Sequence, residues 1–144
     1  MKDPYHVFGV IRGKGKIMNR RGHKRYPVAD GVFVVLNPAN RSYKLGAMID
    51  ISKDGLSFQY IDTIDSEQNY SELDIFVSGD GIKIGTLPFT IISNVAFEKV
   101  IPFYSIITRR LGVQFKSLPH MKTIQISSFI HNHGIYDAFP DNLA

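Results

Sequence analysis

The sequence predicts an all-β protein: mainly a small closed antiparallel β-barrel of about six strands, with a flexible basic N-terminal arm and a C-terminal helix. Three observations predict it. Short β-branched and aromatic runs recur with a period of two. Glycine- and proline-bearing turn signals separate them at regular intervals. One late segment alone carries the punctuation of a helix.

Residues 1–26 come first and differ from the rest. Lys2, Arg12, Lys14, Lys16, Arg20, Arg21, Lys24 and Arg25 stand against Asp3 alone, giving +7, so a chain of total charge +4 has a body of −3. Gly9, Gly13, Gly15 and Gly22 lie among these cations with few apolar residues. Such a segment has little apolar surface to bury and repels itself, which predicts a mobile arm and an anionic partner. The boundaries expected are an arm at 1–18, a barrel domain with its helix at 19–133, and a tail at 134–144.

The strands follow in order. "GVFVVL" (31–36) is a buried-strand run that stops at Asn37-Pro38. "SYKLGAMIDIS" (42–52) runs into "KDG", where Gly55 is expected to supply positive-φ freedom. "LSFQYI" (56–61) puts Leu56, Phe58 and Tyr60 on one face and suits a strand returning across that turn. Leu73, Ile75 and Val77 alternate before a Gly-Asp-Gly turn. Residues 82–97 and 103–115 hold two further strands around a break at Pro102, and Leu111, Val113 and Phe115 alternate with Arg110, Gly112 and Gln114. The helix is expected to be capped by Ser117, to tolerate Pro119 early, to bury Met121, Ile124 and Phe129, and to end at Gly134. Ile126 and Ile130 blur that stripe.

The composition excludes several classes. With no cysteine, thiol catalysis, cysteine-based zinc sites and disulfide stapling are out. No run approaches 18 apolar residues and no signal-peptide block opens the chain, so a cytoplasmic protein without membrane insertion is expected. His131 and His133 in "HNH" lack recognisable partners for a metal, and "GKG" and "GDG" lack the strand-to-helix setting of a phosphate loop. Arg109 and Arg110 read as a solvated strand edge.

Two groups carry chemistry. Arg21 and Arg25, four apart, place two guanidiniums on one side, where paired charge-assisted donors grip a phosphate or the O6/N7 edge of guanine. Lysine lacks that fork. Asp50 and Ser52 share a strand face, and a carboxylate accepts from the N1–H and N2–H₂ edge of guanine. The alternative for this second group is an ordinary hairpin whose polar side chains satisfy their own turn.

These residues in this order resemble the motifs of the PilZ domain family, bacterial receptors for cyclic di-GMP. Arg21 and Arg25 match the family's arginine motif, with Arg20 the frequent extra arginine, and Asp50, Ser52 and Gly55 match its Asp-x-Ser-x-x-Gly motif. The resemblance covers roughly residues 19–133, with "RLGVQF" (110–115) as the closing strand. It implies that the arm wraps over the barrel, that Arg20, Arg21 and Arg25 take phosphate and guanine contacts, and that Asp50 and Ser52 hold a guanine edge beside Gly55. A non-enzymatic receptor is implied, with cyclic di-GMP as ligand, no cofactor, and a downstream effector as partner. The alternatives are a single-stranded nucleic acid binder on a small barrel, or a PilZ-fold adaptor that no longer binds nucleotide.

Overall fold

A computed structural model describes residues 23–39, 43–62, 69–101 and 104–136. Seven strands and one helix occur among them: β1 (Tyr26–Pro27), β2 (Val32–Leu36), β3 (Lys44–Ser52), β4 (Gly55–Asp62), β5 (Glu72–Val77), β6 (Gly81–Ile101), β7 (Tyr104–Phe115) and α1 (His120–His133). All pairings are antiparallel. The order β3-β2-β5-β6-β7-β4 closes through β3–β4 into a six-stranded barrel, and β1 is one extra strand on β3. The expected barrel is thus observed. Tyr26, placed in the arm from sequence, is instead part of the sheet.

The alternating runs close the barrel because their apolar positions all turn inward. Val34, Leu36, Ile51, Leu56, Phe58, Leu73, Ile75, Leu111 and Val113 are fully buried. Asn37 ends β2 in the left-handed region (φ 48°), which asparagine tolerates. Its side chain accepts from Ser71 N (3.0 Å) and donates to Asn69 O (3.1 Å), tying the β2 end to the entry of β5.

Two expectations about α1 are corrected. Its N-cap is Pro119, without a side-chain cap, so Ser117 does not cap it. Ile126, Phe129 and Ile130 are buried, while Met121 (65% exposed) and Ile124 (49%) face away. Three- and four-residue steps put 126, 129 and 130 on one stripe, and the barrel selects that stripe over the competing one. The helix ends at Gly134 as expected. There Gly134 N donates to Ile130 O (2.8 Å), and Ile135 N donates to Pro27 O (2.8 Å), fastening the helix end to β1.

Candidate functional site: the face around Asp50

Asp50 reaches the outer face because β3 carries a bulge. Met48 pairs with Phe58 and Asp50 with Ser57, leaving Ile49 as the extra residue. Gly46 and Met48 point inward before it, Ile51 after it. Without that one-residue shift the carboxylate would take the inward position and Ile51 the outer one.

The register then assembles the site. On one edge of β3, Tyr26 pairs with Ile51 and Pro27 with Asp50, so Arg25 approaches Asp50 diagonally on the outer face. Arg25 Nη1 donates to Asp50 Oδ1 at 2.8 Å, with side chains 19% and 24% exposed. On the other edge, Ser57 Oγ donates to the same oxygen at 2.8 Å. Ser57 was missed from sequence. The signal was present: a two-residue loop at Lys53–Asp54 puts the third residue past it opposite Asp50.

Ser52 behaves differently. It is fully buried, donates to Asp54 Oδ1 (2.6 Å), and accepts from Asp54 N (3.2 Å). Its hydroxyl therefore satisfies the turn, the alternative left open from sequence. His23 Nδ1 lies 3.6 Å from Asp54 Oδ2. Burial works to raise the Asp54 pKa, but the Ser52 hydroxyl and then His23 outweigh it and hold the carboxyl below its ordinary 3.8.

The reason for Gly55 is also corrected. Positive φ among the described glycines is confined to Gly31, Gly79 and Gly81. A Cβ at Gly55 would instead lie 2.2 Å from the Val113 carbonyl oxygen, where β4 pairs with β7. Its need is close backbone approach rather than turn geometry.

Arg25, Asp50, Ser52 and Gly55 are thus brought together; Arg20 and Arg21 lie outside the described residues. Arg109, expected at a solvated edge, is bound to a buried carboxylate: its Nε donates to Asp62 Oδ2 at 2.7 Å, and Lys44 Nζ lies 3.5 Å from Asp62 Oδ1. His133 stacks on Phe129, with ring centroids 4.5 Å apart. Among the described residues no group of acidic residues and histidines is arranged to hold a metal, and no helix is long and apolar enough to cross a membrane.

No family model matches the chain, and neither does any curated protein. Solved structures do. The PilZ domain of YcgR from Escherichia coli, determined with c-di-GMP, aligns over 78% of this chain and 90% of its own, at 16% identity and a TM-score of 0.60. MrkH of K. pneumonia, in complex with c-di-GMP, aligns over 78% of this chain and 52% of its own, at 13% identity and a TM-score of 0.55. A longer YcgR chain with c-di-GMP gives 17% identity, 78% and 45% coverage, and a TM-score of 0.54. The chain therefore spans about half the length of those two proteins and nearly all of the isolated YcgR domain. At these identities the likeness is one of architecture, and it agrees with the barrel, the extra strand and the closing helix: the chain has the fold of a PilZ domain.

Proposed function

We propose that this chain is a cytoplasmic, non-enzymatic receptor for cyclic di-GMP that signals through a change of shape to an effector. The observation that carries the reading is the contact of Arg25 with Asp50, which joins one residue of each sequence motif on one outer face of a PilZ-type barrel. The described site offers a guanidinium for phosphate or the Hoogsteen edge, and a carboxylate for the guanine Watson–Crick edge. Arg20 and Arg21 precede it by a few residues and are proposed to complete the anion grip. Structural neighbours of the same fold hold c-di-GMP, which supports the choice of ligand.

The test is calorimetric titration of the full chain with cyclic di-GMP, with cyclic di-AMP and a single-stranded RNA as controls. Saturable binding confined to the guanine dinucleotide is expected. Tighter binding of RNA would replace this reading with a nucleic acid binder, and silence toward all three would leave an adaptor.

A further inference from the structure

The arm enters β1 with side chains directed to both sides. Arg25 goes to the outer face, whereas Lys24 and Tyr26 go to the other, where Lys24 Nζ sits 5.4 Å from the Tyr26 ring centroid. That second side is a cleft of about 420 Å³ between the arm's end, the Lys53 turn and the last turns of α1. Among the described residues its lining holds Lys24 and Lys53, the imidazoles of His23 and His131, and no carboxylate. Tyr26 and Tyr136 form an aromatic wall, ring centroids 5.0 Å apart and tilted by 59°.

Contacts within the chain hold the walls in place. Tyr136 donates its hydroxyl to Ile130 O at 3.0 Å, Ile135 N donates to Pro27 O, and Val28 bridges to Gly134. Side chains lose little freedom on binding when their backbone and rings are already fixed. The two lysines give this lining its positive character, while His23 is paired with Asp54 Oδ2 at 3.6 Å. A planar ring beside them adds stacking area. The volume lies in the range of small-molecule sites.

From this chemistry we infer that the cleft is a second binding site, separate from the Arg25–Asp50 face, for a mononucleotide: phosphate on Lys24 and Lys53, base on the Tyr26–Tyr136 wall. Lys24 and Arg25 are adjacent, so filling the cleft also fixes the backbone that presents Arg25.

The experiment is titration of the full chain with GMP and, separately, inorganic phosphate, on the parent, Lys53→Glu, Lys24→Ala and Arg25→Ala. The parent is expected to bind GMP more tightly than phosphate, and Arg25→Ala to keep a saturable GMP site that still depends on the two lysines. Lys53→Glu is expected to weaken GMP at least about tenfold, since it removes a charge-assisted contact and adds repulsion, and Lys24→Ala to weaken it severalfold. Both lysines are exposed, so the variants keep the fold. Absence of saturable GMP binding, GMP binding indifferent to both lysine variants, or binding abolished by Arg25→Ala would overturn the second site. The lysine variants report on the cleft and Arg25→Ala on the outer face, so failure of one reading is distinguishable from failure of the other.

Discussion

Arg25 Nη1 and Asp50 Oδ1 are 2.8 Å apart although 25 residues separate them in sequence. The pair joins a cation and an anion that are each proposed to meet a guanylate, and the two neutralise one another. A ligand must exchange these bonds for its own, and affinity reports the difference.

Arg21→Ala and Arg25→Ala are each expected to weaken cyclic di-GMP binding at least about tenfold, because charge-assisted bonds contribute roughly 1.5–3 kcal/mol. Lysine at either position should restore little, lacking the planar fork. Titration of both alanine variants checks this, and parent-like affinity in both sinks the site assignment.

Asp50→Ala is expected to lower affinity for cyclic di-GMP while leaving or raising weak binding of cyclic di-AMP. Removing the carboxylate removes an acceptor for guanine donors and also repulsion toward phosphate. Equal losses for both dinucleotides, measured side by side, would make Asp50 purely structural.

Ser57→Ala tests the contact found only in the structure. Losing one hydrogen bond to a partly buried carboxylate should cost about 1 kcal/mol of stability, and Asp50 should be less firmly aimed. Denaturant unfolding and titration together check it; a variant unchanged in both would show the bond to be idle.

Gly55→Ala is expected to destabilise the fold by several kcal/mol, on the order of the larger point-mutant effects, because the new methyl meets a backbone carbonyl at 2.2 Å. Thermal unfolding should register the loss whether or not ligand is present. An unchanged melting temperature would show that β4 and β7 part easily.

Asp54 gives a pH dependence with a definite sign. Its folded pKa lies below 3.8, so its stabilisation of the turn is fully present above that value and is lost as pH falls through the folded one. Asp54→Asn should flatten this acid limb of the stability curve. An identical acid limb in the variant would assign the effect to other carboxylates.

Local patterning made the strands and the barrel class legible and named candidate residues for the site. Period-two alternation at Leu56, Phe58, Tyr60, Leu111 and Val113 is a local property, and so is the spacing of Arg21, Arg25, Asp50, Ser52 and Gly55. Strand pairing sets how Arg25, Asp50, Ser52 and Gly55 are used. The Ile49 bulge sets which side of β3 faces out, and a bulge depends on how two strands pair rather than on either one. Pairing also selected Ser57 as the second donor to Asp50, left the buried Ser52 hydroxyl to its own turn, and made Gly55 a matter of distance to Val113. The helix shows the same division: its apolar residues mark two competing stripes, and the barrel it covers chose Ile126, Phe129 and Ile130 because burial is decided by the partner surface.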